Sequence, residues 1–409
     1  MITRRRFLLT LPAVAALPRL ALTAGEAQTF SNPLKKKPPA TPPPTFVYFG
    51  TDTTKGVSKG IYVSHFDAAT GQLTAPILAA ETLRPSYLAI SEPTADGHRH
   101  LYAVNAVADA SATVTSYLMD TGTGALKQIN QVTSAGAGPC YISLDATGET
   151  AFVANYVGST IATYHVLPDG GLSEPVVRLD YKDPKFGKRG PVTARQDVPH
   201  PHSVHLSPDN RFLIVNDLGS DELSVFAIDA ANAHLGPPAL FSNSRPGSGP
   251  RHIAFHPNGV WVYVINEIDS TLDRFIWSTT TAPGEQHGLL VYTGQHVKTI
   301  AADFPAAKNT AAEIAISPDG HYLYASNRGE DTLVVFSIAS DGKLTLLQRI
   351  PCGGKTPRHF TFSPDARWIL CGNQDSATVT VFRRDGATGR LGGPVQTLPL
   401  DSVMFTLFA

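Results

Sequence analysis

The sequence predicts an all-β fold, a seven-bladed β-propeller closed by pairing of its C-terminal strand in the first blade. Three observations predict it. From residue 46 onward the chain repeats with a period of about fifty residues, the range of propeller blades. Each repeat holds short runs of β-branched and aromatic residues in alternation, with no helical period between them. A strand-like run is left over at the end, Ser402 to Phe408, and the first repeat lacks an innermost strand that this run can supply.

Residues 1–45 stand outside the repeat. Arg4, Arg5 and Arg6 precede a hydrophobic segment that begins at Phe7, and small residues follow at Ala24, Gly25 and Ala27. This pattern resembles a twin-arginine export signal over 1–27, which hands a folded protein to the twin-arginine machinery and implies a periplasmic or secreted product. The apolar run is short and broken by Pro12 and Pro18, so no stable membrane span is expected. The proline-rich stretch 28–45 reads as an extended tether. Its three lysines, Lys35 to Lys37, make a basic run that reads as part of a solvated spacer. With 409 residues and a net charge of −1, nothing in the bulk charge supports nucleic-acid binding. Cys140, Cys352 and Cys371 are odd in number and without C-x-x-C spacing. They read as free thiols in strands, not as a disulfide framework or a zinc site.

In the propeller, 46–409, inner hairpins open at Pro85, Pro139, Pro201, Pro250, Ala311 and Pro357. Turns such as Ser207-Pro208-Asp209-Asn210 and Ser317-Pro318-Asp319-Gly320 follow, with proline and Asp/Asn/Gly where a type I turn wants them. A second strand then ends on Asn105, Asn155, Asn216, Asn266, Asn327 or Asn373, each an architectural residue expected to bond the next blade's backbone. A third strand and a fourth, outer strand complete each unit. Six full units and the shared first one make seven, and closure removes the open edges.

In an antiparallel hairpin the start of the first strand lies beside the end of the second. The residues after each opening position and after each terminal Asn should therefore ring one mouth of the channel. One step on come Ser86, Cys140, His202, Arg251, Ala312 and Arg358; two steps on come Tyr87, Tyr141, Ser203, His252, Glu313 and His359. After the Asn come Ala106, Tyr156, Asp217, Glu267, Arg328 and Gln374. Arg251, Arg328 and Arg358 converge on one anion in this reading, with His202 and Glu267 beside them for proton transfer. Tyr156, Asp217, His252, Gln374 and His200 are the candidates for holding substrate. Plainer roles stay open for several of them: Arg251 and Arg328 as ion-pair partners of Glu267 and Asp217, His200 as a packed residue, Asp221 and Asp331 as turn formers.

These motifs match a family. Asn155-Tyr156, Arg195-Gln196 with Pro199-His200-Pro201-His202, Asp217 to Asp221, Gly249-Pro250-Arg251-His252, Asn266-Glu267 and Ser326 to Thr332 resemble the seven-bladed lactonase propellers. That family includes bacterial 6-phosphogluconolactonases and the fungal carboxymuconate-lactonizing enzyme. The resemblance implies that His202, Glu267, Arg251 and Arg328 carry catalysis and anion binding. It departs at Val157-Gly158-Ser159 and in the long stretch 277–296. A cytosolic pentose-phosphate enzyme has no reason to be exported, so the resemblance implies the lactone chemistry and leaves open whether the substrate carries a phosphate. The expected activity is metal-independent hydrolysis of a sugar-type lactone, a small-molecule substrate, with no cofactor. Glu267 or His202 takes the proton from water, and the other returns one to the ring alkoxide. Two alternatives are a cycloisomerase that closes a lactone from an unsaturated diacid, and a non-catalytic binding propeller.

Overall fold

The computed structural model describes residues 45–186, 188–280 and 287–409. The export signal over 1–27 and all but the last residue of the tether lie outside the described residues.

Seven sheets radiate from one axis, and their strands follow chain order from the inside out. The second blade, for example, runs Pro85–Ile90, Arg99–Asn105, Thr113–Met119 and Leu126–Thr133. In the first blade the innermost strand is Val403–Phe408, which pairs antiparallel with Thr45–Thr51. The expected closure is what the chain does. Hydrophobic packing agrees: seven core clusters fill the seven gaps between neighbouring blades. One of them joins Trp368, Leu370 and Val381 of the last blade to Val47, Phe49 and Val403 of the first. Each sheet is apolar on both faces, because both faces are covered by neighbours. The gap between the fourth and fifth blades is filled by Phe212, Val225, Phe275 and Trp277. Truncating Trp277 to Ala there would cost about 3–5 kcal/mol.

The stretch that departs from the family pattern forms the fifth blade's long outer hairpin, Thr271–Thr280 and His287–Lys298. The terminal asparagines are architectural in a different sense from the one expected. Asn105 donates to Leu83 O at 2.6 Å, and Asn155 to Ser134 O at 2.8 Å. These two, like Asn327 and Asn373, clamp the segment arriving from the preceding blade, which passes under the strand end, whereas Asn216 and Asn266 donate to Ser203 Oγ and Thr271 Oγ1 of their own blades. Asp221 and Asp331 are turn formers with left-handed backbone, φ 58° and 56°. Asp221 also accepts the amides of Gly247 and Gly249 at 2.6 and 2.8 Å, which pins the approach to the fifth blade.

One irregularity recurs in every blade and positions the site. The innermost strand carries an extra residue against its partner, a β-bulge, at the same place. Pro250 faces Asn266 and His252 faces Ile265, which leaves Arg251 between them. The equivalent residues are Ser86, Cys140, His202, Ala312, Arg358 and, in the closing strand, Met404. A bulge re-aims the side chain it carries, so seven bulges turn seven side chains toward one mouth. The residues just after them form a second tier that closes the channel beneath. Tyr87 packs on Tyr141 and Phe405 with ring centroids 4.0 and 3.9 Å apart, and His359 on Phe405 at 3.9 Å.

Candidate active site

A cavity of about 320 Å³ opens at this mouth. Its lining includes His202, Glu267, Arg328 and Arg358 from the later blades, and Ser86, Cys140 and Met404 from the first three. Glu267 is the hub. Its Oε2 accepts from Arg251 Nε at 3.0 Å and pairs with Arg328 Nη2 at 2.8 Å; its Oε1 accepts from Arg195. His202 Nε2 stands 3.9 Å from Oε2. The four residues expected to carry catalysis are therefore brought together around one buried carboxylate.

Burial alone would push the Glu267 carboxyl up, but Arg328, Arg251, His202 and Arg195 outweigh it and hold the group well below the usual carboxylate range. It is a carboxylate, and a weak base. Burial, then the charge of Arg251 and the neighbouring His252, holds His202 well below the usual imidazole value. Its ring is neutral at pH 7, and its buried Nδ1 has no hydrogen-bond partner among the described residues. Arg328 is anchored through its Nε, which donates to Thr310 O at 3.3 Å, and its Nη2, which donates to Ala311 O at 3.1 Å, and it lines the cavity. Arg358 differs. It makes no hydrogen bond or ion pair among the described residues, and burial beside Arg251 and Arg328 pushes its pKa down to about 9. Burial and the two neighbouring guanidinium charges outweigh the opposing charge of Glu267.

Two arginines belong to the site although the repeat did not single them out. Arg195 sits on a loop before the fourth blade, held by Gln196, whose Nε2 donates to Leu218 O at 2.9 Å and Asp221 Oδ1 at 2.8 Å. Arg84 precedes the second blade with φ 39° and pairs through Nε with Asp52 Oδ1 at 3.2 Å. Asp52 follows Thr51, which faces Val403 in the closing blade, so it occupies the rim place that Glu267 has in the fifth. In all, five guanidinium groups (Arg84, Arg195, Arg251, Arg328 and Arg358) meet two carboxylates (Glu267 and Asp52) at the mouth.

The remaining candidates divide. Tyr156 lines the cavity, stacked on His200 at 4.3 Å and edge-on to His202 at 5.5 Å. His200 stands behind it, its Nδ1 2.9 Å from Tyr156 O and its Nε2 3.1 Å from Asp197. Asp217 is not a cavity residue, and it is not paired with an arginine. Its buried carboxylate accepts the amides of His200 at 2.6 Å and Gly219 at 2.9 Å and the hydroxyl of Ser220, a turn-forming role. His252 lies in the tier below, beside Glu313, because it follows the bulge instead of occupying it. Gln374 is half-buried at the rim and does not line the cavity. Among the described residues, no group of three or more His, Cys, Asp or Glu is placed to hold a metal ion. The three cysteines are free, and burial pushes the Cys140 thiol up to about 12, so it is no nucleophile near neutral pH.

A closed seven-bladed propeller with a cationic, His/Glu-bearing mouth is the class that the fold and site define. A family model described as lactonase, 7-bladed beta-propeller matches residues 46–408, and the chain belongs to that family. It is 32% identical over 346 residues to the 6-phosphogluconolactonase of Bacillus subtilis, covering 84% of this chain and 92% of that one. It is likewise 32% identical over 364 residues to the 6-phosphogluconolactonase of Formosa agariphila, 88% of this chain and 96% of that one. The structure of a periplasmic gluconolactonase from Pseudomonas aeruginosa superposes with a TM-score of 0.77 at 32% identity, covering 89% of this chain and 99% of that one.

Proposed function

We propose that this protein hydrolyses a sugar-type lactone bearing an anionic group, phosphate or carboxylate, to the open hydroxy acid without a metal ion. The observation that carries the reading is Glu267 pinned among Arg195, Arg251 and Arg328, with the neutral His202 ring beside it and the unpaired Arg358 across the cavity. A carboxylate held by three guanidinium groups is too weak a base to deprotonate water; a neutral imidazole is the better acceptor. His202 takes a proton from water as the oxygen attacks the lactone carbonyl. Arg328 and Arg358 stabilise the oxyanion that forms. When the tetrahedral intermediate collapses, the ring C–O bond breaks and the imidazolium returns its proton to the departing alkoxide. Glu267 keeps the arginines in register and steadies the imidazolium. An anion bound among the arginines offsets the field that depresses His202, so substrate binding itself strengthens the base.

The same reading gives residues 1–27 as a twin-arginine signal and the periplasm or exterior as the place of action. Lysine at both Arg4 and Arg5 should leave the protein in the cytosol on fractionation. The activity is tested in a pH-stat with the processed protein, using gluconolactone and its 6-phosphate, each with and without chelator. Turnover unaffected by chelator, with the phosphorylated lactone favoured at least tenfold in kcat/KM, is the expected result. No turnover on any lactone would remove the reading. Product analysis with an unsaturated diacid identifies the cycloisomerase if cyclisation is seen instead.

A further inference from the structure

Beneath the mouth lies a polar cluster for which hydrolysis as written has no use. Glu313 is buried in the second tier, where its two carboxylate oxygens each stand 3.1 Å from His252 Nδ1. His359 Nε2 is 3.4 Å from its Oε2. A carboxylate only accepts, so Nδ1 of His252 carries the proton, and in the neutral ring Nε2 is left as an acceptor. Arg251 Nη1 stands 3.2 Å from that Nε2 and 3.4 Å from Nδ1, so it rests against the Nδ1–Cε1–Nε2 part of the ring, while Arg251 Nε donates to Glu267 Oε2 at 3.0 Å. The chain of contacts is thus continuous from Glu313 through His252 and Arg251 to Glu267. The His252 ring also packs against His202, with centroids 5.2 Å apart.

The backbone is shaped for this contact. The bulge of the sixth blade sets Ala312 and Glu313 against Ser326, whose hydroxyl accepts the Glu313 amide at 3.0 Å. The carbonyl of Ala312 is thereby freed to accept from Arg251 Nη1. Burying a carboxylate without a full counter-charge is costly, and an apolar residue would fill the tier as well as Tyr87, Tyr141 and Phe405 do. The neighbours that face the cluster are His205, His359, Tyr87, Tyr141, Arg251 and Arg358. Burial holds both His205 and His359 down near 4, so neither adds positive charge at neutral pH. Among the described residues Glu313 is the carboxylate of this tier, linked to Glu267 through His252 and Arg251.

We propose that Glu313 and His252 are positioning residues, which hold Arg251 and the His202 ring in place through one proton-ordered contact and add a second negative charge behind the catalytic cluster. Neither touches substrate. The kinetic consequence rests on the lactonase reading; the ordering of the histidines does not. Glu313→Gln keeps the shape and an acceptor oxygen but removes the charge. With a lactone substrate we expect kcat to fall about tenfold while KM changes less than twofold. The acid limb of the pH–rate profile should move to lower pH, because losing a nearby negative charge makes His202 harder to protonate. Glu313→Asp should recover part of kcat and restore the limb. Histidine 15N NMR of the whole protein supplies the independent arm: His252 is expected as the neutral Nδ1–H tautomer at pH 7, and the His202 titration should shift down in Glu313→Gln. An Nε2–H tautomer, or an unmoved His202 titration and acid limb in a folded Glu313→Gln protein, would overturn the proposal. If the unaltered protein turns over no lactone, the function falls, and the NMR arm decides the positioning pair alone.

Discussion

The two halves of the mouth are built on the same backbone and carry opposite chemistry. Bulges in the fourth, fifth and seventh blades present His202, Arg251 and Arg358; those in the first three present Met404, Ser86 and Cys140. The wall of the second half is completed by Ala106, Ala108, Gly138, Pro139 and Val157, with Tyr156 and with Arg84, whose charge is met by Asp52. Identical geometry with different residues separates what the fold supplies from what the sequence supplies. The fold aims side chains at a common point, and a few substitutions in one half make that point reactive. The quieter half leaves room for the body of a ligand, whose charged end must then lie toward the arginines.

The sharpest way to break this contrast is in the reactive half. His202→Ala and Glu267→Gln should each lower kcat/KM by about 10²–10⁴, the usual worth of an acid–base group, measured as initial rates by pH-stat. Circular dichroism should still report a folded propeller. Near-full activity in both would make the two halves equivalent. Next, Arg358→Gln should raise KM for an anionic lactone about tenfold and leave a neutral one within twofold, a loss of roughly 1.4 kcal/mol of anion binding. Thermal melts give the same comparison without turnover. Inorganic phosphate at about 100 times its Kd should stabilise the parent protein by about 2.7 kcal/mol, and much less in Arg358→Gln.

A smaller effect concerns pH. Because His202 is held below its usual value, it stays neutral as pH falls through about 6.5, the ordinary imidazole midpoint. kcat/KM should accordingly hold its plateau through that point and decline only at lower pH. A decline centred on 6.5 would mean that burial and Arg251 do not govern the ring. Smallest of all, Ser86→Ala removes one hydrogen bond, to Pro139 O at 3.1 Å. It should change kcat/KM less than threefold and lower stability by about 1 kcal/mol. A larger kinetic loss would place chemistry in the half assigned to accommodation.

Much of this was legible in the sequence, for a physical reason. Blades repeat, so a residue's place in its unit fixes its place on the ring, and His202, Arg251, Glu267, Arg328 and Arg358 could be set at one mouth from spacing alone. What the repeat does not encode stayed hidden. Arg195 lies in a loop between blades, with no equivalent elsewhere to give it a position. Asp52 was missed because its innermost strand comes from the far end of the chain, so its blade could not be aligned by an opening proline. Gln374 was assigned to the mouth by the alignment that succeeded for Glu267, and His252 by the one that succeeded for Arg251. A bulge turns only one residue outward, and its neighbour is turned down into the channel. Asp217 shows another limit: composition at a rim position does not reveal whether a carboxylate is already saturated by backbone amides.

Met404 reaches the cavity on the strand that completes the first blade, within six residues of the chain's end. The wall of the site is therefore finished by the same strand that seals the ring. Without Val403–Phe408, Thr45–Thr51 has no inner partner. Removing that one strand would thus unlatch the ring and dismantle the pocket together.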